Sequence, residues 1–176
     1  EDRGGTLTYF TWDKNGSILT EQELGGYTTY YEHSARNLIT AISKDDPTFT
    51  PNYFGYDGAG NRVYMQDSTG TTYFSWDGVT IIEERDSAGS VLRSYRKGES
   101  FVGIEGISQY VEVNDSTHGL LYPHYDQVGA LYAVTDSNGD LVWSASYSPF
   151  FIKLSESGSA PVPFTGPGNY RNMTGL

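Results

Sequence analysis

Few residues in this chain are of types that do chemistry, and their spacing argues against convergence. Glu83 and Glu84 are an adjacent carboxylate pair, and paired carboxylates are what general acid–base catalysis uses. In a strand, however, neighbouring side chains point to opposite faces, so the two are read as solvated strand-edge charges. His33, His118 and His124 lie in separate parts of the chain. A zinc site needs at least three convergent protein ligands, so these are read as structural or exposed histidines. The turns Asp13-Lys14-Asn15-Gly16 and Asp136-Ser137-Asn138-Gly139-Asp140 loosely resemble calcium loops. A calcium loop needs more oxygen ligands and a closing glutamate, and a turn-capping aspartate explains the same letters. There is no Ser/His/Asp elbow, Walker loop or dinucleotide fingerprint, and Gly4-Gly5 and Gly25-Gly26 are lone doublets. Asn15-Gly16-Ser17, Asn114-Asp115-Ser116 and Asn172-Met173-Thr174 have the form of glycosylation sequons, which count only in a source that glycosylates. No catalytic, cofactor-binding or metal residue is assigned, no cofactor is expected, and the chain is not expected to be an enzyme.

What remains to be explained is architecture. The chain has 176 residues, with 11 Lys and Arg against 22 Asp and Glu and a formal charge of −11. Affinity for nucleic acid comes largely from Lys and Arg displacing counterions, so an acidic chain makes a poor partner for it. An anionic membrane surface is disfavoured for the same reason. No apolar run is long enough to span a bilayer as a helix, and membrane insertion is not expected. Cysteine is absent, which removes disulfides, thiolate metal sites and thiol nucleophiles together. The opening Glu1-Asp2-Arg3-Gly4-Gly5 has neither Met nor an apolar leader, so a processed chain or a part of something longer is expected. Fifteen Tyr, 8 Phe and 3 Trp beside 21 Gly make a strand-and-turn composition.

One phrase recurs: Tyr9-Phe10-Thr11-Trp12-Asp13, Tyr53-Phe54-Gly55-Tyr56-Asp57, Tyr73-Phe74-Ser75-Trp76-Asp77 and Tyr122-Pro123-His124-Tyr125-Asp126. Tyr30-Tyr31-Glu32 reads as a weaker copy with Glu in the Asp place. A second phrase interleaves with it: Asp67-Ser68-Thr69-Gly70, Asp86-Ser87-Ala88-Gly89 and Asp136-Ser137-Asn138-Gly139. Before each Asp the residues alternate, with Phe10 and Trp12 on one face and Tyr9 and Thr11 on the other, the period of a strand. Aspartate then starts a turn by accepting backbone N–H bonds from residues ahead of it, as in Asp13/Gly16, Asp57/Gly60 and Asp126/Gly129. The glycine supplies the positive φ that closes a hairpin loop. An apolar pair begins the return strand: Ile18-Leu19, Val91-Leu92, Leu131-Tyr132 and Leu141-Val142.

Strung together, these units predict an all-β antiparallel meander of about a dozen short strands, covering residues 1–154, with 155–176 as a loop and closing segment of the same domain. Two stretches break the rhythm. Lys97 to Gly119 reads as a strand leaving the ladder or a longer loop, and Ser155 to Pro163, rich in Ser, Gly and Pro, reads as a linker or loop.

At these residues the chain resembles the RHS/YD-repeat proteins. Phe54-Gly55-Tyr56-Asp57-Gly58-Ala59-Gly60-Asn61-Arg62-Val63 is similar to that family's repeat nearly letter for letter. The stretch from Tyr125-Asp126 to Leu141-Val142-Trp143, followed by Tyr147-Ser148-Pro149-Phe150, looks like the end of an RHS core. Phe164-Thr165-Gly166 and Met173-Thr174-Gly175-Leu176 look like parts of its closing segment. The resemblance implies a curled, spiral-like sheet of the kind that bacterial toxins, insecticidal complexes and teneurins roll into shells. It also implies an exported or surface-exposed protein. The chain departs from the family in two ways: the aspartyl self-cleavage motif is missing, and the repeats are too few to close a shell.

Open sheet edges template association. The leading expectation is therefore an extracellular structural subunit that pairs edge to edge with its own copies into a filament or tube. The alternatives are a fragment of a toxin-encapsulating RHS shell, with the enclosed toxin segment as partner, and a carbohydrate-binding or adhesion module using exposed aromatics. Inter-strand aromatic pairs explain those aromatics without a ligand.

Overall fold

The computed structural model describes residues 2–3, 6–78, 80–98, 110–126, 130–148, 153–158, 164–166 and 169–170. It divides into two compact units, with the boundary between Phe74 and Ser75. The first unit holds β1 (Asp2–Arg3), β2 (Thr6–Trp12), β3 (Ile18–Glu23), β4 (Thr28–His33), β5 (Ile39–Lys44), β6 (Asn52–Tyr56), β7 (Arg62–Asp67) and most of β8 (Gly70–Asp77). The second holds β9 (Thr80–Arg85), β10 (Val91–Lys97), β11 (Tyr110–Asp115), β12 (Gly119–Tyr125), β13 (Leu131–Asp136), β14 (Leu141–Tyr147) and β15 (Lys153–Gly158). Within each unit the strands pair antiparallel in chain order, each with the next. Two short strands, β16 (Phe164–Gly166) and β17 (Asn169–Tyr170), form a separate antiparallel pair. The protein is the all-β YD-repeat-like meander that the alternation and turn letters predict.

One turn recurs with a constant hydrogen-bond pattern. At Asp13, the Asp13 N–H donates to the Ser17 carbonyl at 2.8 Å, and the Asp13 Oδ1 accepts from the N–H groups of Asn15 and Ser17 at 2.8 and 2.9 Å. Asp57 repeats this with Ala59 and Asn61, Asp86 with Ala88 and Ser90, and Asp136 with Asn138 and Asp140. At Asp126 the same bonds close on Ala130, while Gly129 lies outside the described residues. The fourth residue is left-handed, with φ of 83° at Gly16, 96° at Gly60 and 86° at Gly139, where a Cβ would collide with the following backbone.

Each of these turns is followed by the same irregularity. Trp12 pairs with Ile18 but Thr11 with Thr20, so Leu19 is an extra residue. The extra residue is Val63 after Asp57, Leu92 after Asp86, Tyr132 after Asp126 and Val142 after Asp136. A bulge of this kind raises the local twist and re-aims the strand. The second residue of the return strand after each turn, always apolar, is therefore the one without a partner opposite.

Four sequence expectations change. The degenerate second copy is anchored by Ser34 and not by Glu32. Ser34 Oγ accepts from the N–H groups of Arg36 and Leu38, and Asn37 takes the glycine place at φ 63°. Asparagine is among the few non-glycine residues that tolerate that conformation. Glu32 instead lies inside β4, opposite Ala41. Asp67 shares its letters with Asp86 and Asp136 but makes a different turn. It pairs directly with Gly70 and caps Thr69, through both N–H and hydroxyl, at 2.7 and 2.6 Å. Ser155–Gly158, expected in a loop, continues β15 against β14. Within 97–119, Tyr110–Asp115 stays in the ladder as β11 between β10 and β12, and residues 99–109 lie outside the described set.

Candidate functional site

The first unit carries a stacked edge of turns. The Asp13, Ser34 and Asp57 turns lie at the same end of a meander, because each pair of strands returns the chain to that end. Side chains then join neighbours. The Ser17 hydroxyl of the first turn donates to Asn37 Oδ1 of the second at 2.5 Å, and Arg36 Nη1 of the second donates to the Gly58 carbonyl of the third at 2.7 Å. Charged and polar residues here tie one repeat to the next. Asp57 is fully engaged, since Asn61 Nδ2 also donates to its Oδ2 at 3.0 Å. The Asn61 side chain, its strongest partner, holds the Asp57 carboxyl below the usual carboxylate range. At Asp13 and Asp136 the backbone N–H groups of Ser17 and Asp140 do the same. Low pKa values here report turn-capping.

The outer face of this unit carries half-exposed tyrosines, among them Tyr9, Tyr30, Tyr53 and Tyr73. Glycine enters this pattern once. A Cβ on Gly55 would sit 2.0 Å from Cε1 of Tyr64, so the Tyr64 ring lies over the Gly55 backbone, its cross-strand partner. An aromatic side chain laid over a strand glycine shields that backbone.

The second unit holds a buried ionic row that the sequence did not reveal. Glu84, Arg93 and Asp115 sit opposite one another across β9, β10 and β11. Arg93 Nη1 meets Glu84 Oε2 at 2.7 Å and Arg93 Nε meets Asp115 Oδ2 at 2.8 Å. The Tyr95 hydroxyl donates to Glu84 Oε1 at 2.5 Å. Asp115 Oδ1 accepts from the N–H groups of Thr117 and His118, at 2.9 and 2.8 Å, and lies 2.9 Å from His118 Nδ1. Glu84 is 1% exposed and Asp115 3%. Burial alone would push the Asp115 carboxyl up, but the His118 and Thr117 bonds and the Arg93 charge outweigh it and hold it below the usual range. Burial likewise opposes the Arg93 charge, yet Glu84 and the neighbouring groups leave its pKa raised. Nearby, burial pushes the Tyr125 phenol up to about 12 and the Tyr110 phenol higher still. The row is saturated with internal ion pairs and hydrogen bonds, which suits a structural pin.

Glu83 and Glu84 do lie apart, as a strand requires. Glu83 pairs with Arg85 Nε at 2.5 Å near the surface. The expectation that both are solvated is wrong for Glu84. The reason is the partner: Arg93 lies across the Asp86 turn and can neutralise a charge that would otherwise be too costly to bury. The histidines stay separate. His118 joins the row, His124 Nε2 contacts Thr135 Oγ1 at 2.9 Å, and His33 ends β4. Among the described residues, no group of three or more His, Cys, Asp or Glu is placed to hold a metal. Asn15 and Asn114 are exposed, and Asn172 lies outside the described residues.

No family model matches the chain. It is 28% identical over 141 residues to the tRNA nuclease WapA of Bacillus subtilis strain 168, covering 78% of this chain and 5% of that protein. It is 21% identical over 159 residues to double-stranded DNA deaminase toxin A of Burkholderia cenocepacia, covering 79% and 11%. Among solved structures, the Photorhabdus luminescens Tc holotoxin pore matches 96% of this chain over 11% of its own, with TM-score 0.53 and 14% identity. A TcdB2-TccC3-TEV crystal structure matches 89% over 9%, at TM-score 0.50 and 14% identity. The chain thus spans a small fraction of each protein it resembles. The chain shares its fold with a stretch of these Tc-toxin structures and is distantly similar in sequence to the nuclease and the deaminase toxin.

Proposed function

We propose that these residues form a stretch of wall in an exported YD-repeat shell that encloses a toxin segment. The observation that carries this reading is the Tc holotoxin match, which takes in 96% of the chain yet occupies 11% of the larger one. A meander in which one turn pattern recurs, with the first three copies tied in series, is a unit that extends by repetition. The sequence relatives fit the same arrangement. Their names are those of nucleases and a deaminase toxin, and the matched stretch is 5% to 11% of their length, so the named activities have room elsewhere in those chains. In this reading the wall performs no catalysis. Its buried row and stacked turns hold strands in register, and its partners are neighbouring repeats and the enclosed segment.

Edge-to-edge assembly into a filament is the second reading. It has one observation in its favour: every residue of β15 is exposed, and an exposed strand of this kind invites a further strand. The shell reading satisfies that edge with other repeats of the same polypeptide. Electron microscopy of the protein as its source cell exports it separates the two. A hollow particle whose wall contains these strands supports the shell, and a helical polymer, or free monomers with open edges, overturns it.

A further inference from the structure

Tyr64 of β7 and Tyr73 of β8 are direct cross-strand partners on one sheet face. Their ring centroids are 6.4 Å apart and the planes are tilted by 51°. The tight Asp67–Gly70 turn fixes this register, because Asp67 Oδ1 accepts both the N–H and the hydroxyl of Thr69. Tyr73 is 48% exposed, and the Tyr64 ring is held against the backbone of Gly55. A reagent in solution therefore reaches one ring and finds a second, fixed phenol beside it. Exposed aromatic side chains reorient on the picosecond-to-nanosecond scale, fast enough to bring ortho carbons into contact within the lifetime of a phenoxyl radical.

We propose that Tyr64 and Tyr73 are an oxidative cross-link site, joined as dityrosine by a one-electron oxidant of the heme-peroxidase class using hydrogen peroxide. Each phenol gives up one electron and one proton. The two radicals then form a carbon–carbon bond between ortho positions, and the two ortho hydrogens shift to restore both phenols. In sum, two tyrosines and one hydrogen peroxide yield dityrosine and two waters. The bond staples β7 to β8 covalently on the exposed face, in a chain that has no cysteine with which to make a disulfide. A second tyrosine pair acts as an internal control. Tyr95 and Tyr110 are closer, with centroids 5.1 Å apart, but both are buried, and their hydroxyls donate to Glu84 and to the Ile81 carbonyl. The site rests on this geometry alone and stands whether or not the chain is part of a shell.

The test treats the purified chain, at dilution, with a heme peroxidase and a hydrogen peroxide dose that converts free tyrosine in a parallel sample. The monomer is isolated and cut before aspartate, which places Tyr64 in 57–66 and Tyr73 in 67–76. Mass spectrometry is expected to find these two peptides joined, two hydrogens lighter than their sum. The link is expected to be lost in both Tyr64→Phe and Tyr73→Phe, and to fall sharply when the chain is oxidised in denaturant. The proposal is overturned if the joined pair is absent from the folded wild-type chain, if it survives in either variant, or if the folded chain links Tyr95 to Tyr110 instead.

Discussion

The two units share the Asp-led turn, and the second adds a buried charge row to it. In the first, strands are held at their ends, where half-buried aspartates cap backbone N–H groups and single hydrogen bonds pass from turn to turn. In the second, three strands are also joined across the sheet, one step in from the Asp86 turn, by a charge row whose two carboxylates are buried. The first device is modular, since the same few bonds recur at each turn. The second is deep and unforgiving, because an ionised group left alone in a sheet interior has no water to turn to.

Removing one partner from the buried row should be the most damaging change. Arg93→Met leaves Glu84 and Asp115 buried without their cation, and the expected loss is about 3–5 kcal/mol. It would be measured as the shift in urea midpoint at constant slope. A loss no larger than that of a surface substitution would erase the contrast between the units.

Gly60→Ala comes next. At φ 96° an alanine is forced into a left-handed conformation, which costs about 1–2 kcal/mol. Asn37→Gly removes the same kind of strain in the Ser34 turn but also the Oδ1 that receives the Ser17 hydroxyl, so its net effect on the midpoint should be close to zero. Equal losses from both would show that backbone conformation is not what the fourth turn position selects.

Acid should act on the first unit through its turns. The carboxyls of Asp13, Asp46 and Asp57 lie below their ordinary value because hydrogen bonds favour the charged form, from the Ser17 N–H, the Thr48 hydroxyl and the Asn61 side chain respectively. A depressed folded pKa contributes stability that is present above the unfolded value, about 3.9, and is lost as pH falls through the folded one. Melting temperature should therefore be flat near neutrality and decline as pH drops below that value. Asp57→Asn should lower the neutral melting temperature slightly and make the acid decline shallower. A steeper decline in the variant would contradict the sign.

The smallest effect is expected at Arg36→Ala, which removes the bond to the Gly58 carbonyl. An exposed hydrogen bond of this kind is worth about 0.5–1.5 kcal/mol, at the low end for a mobile side chain. Its signature is faster amide exchange in the Asp57 turn, with the buried row untouched.

Much of this architecture is legible from residue types because its rules are local. Aspartate, a glycine three places on and an apolar pair specify a turn and a strand start without reference to the rest of the chain. The rules fail where substitutes of different chemistry do the same job. Ser34 and Asn37 reproduce the Asp–Gly turn with other atoms, and Glu32 drew attention only because it is acidic. They fail again where the letters agree and the bonding differs, as between Asp67 and Asp86. The buried row was hidden for a third reason. Burial in β9 falls on Thr80, Ile81 and Glu84, a spacing that two-residue alternation does not produce. Its partners become visible only once the extra residue Leu92 has set the register of β10. A charged residue facing an arginine across an Asp-led turn, counted with the bulge included, is the signal that would have found it.

The central claim is that the repeat is an architectural module, defined by one side chain that caps the third and fifth residues of each turn. Residue-resolved amide hydrogen exchange tests it directly. The fifth-position amides of Ser17, Leu38, Asn61, Ser90, Ala130 and Asp140 should all exchange more slowly than the second-position amides of Gly58 and Ser87 in the same loops. Leu38 should lose that protection in Ser34→Ala and keep it in Glu32→Ala. Fast exchange at these six positions, or a Leu38 amide that responds to Glu32 and ignores Ser34, would contradict the account.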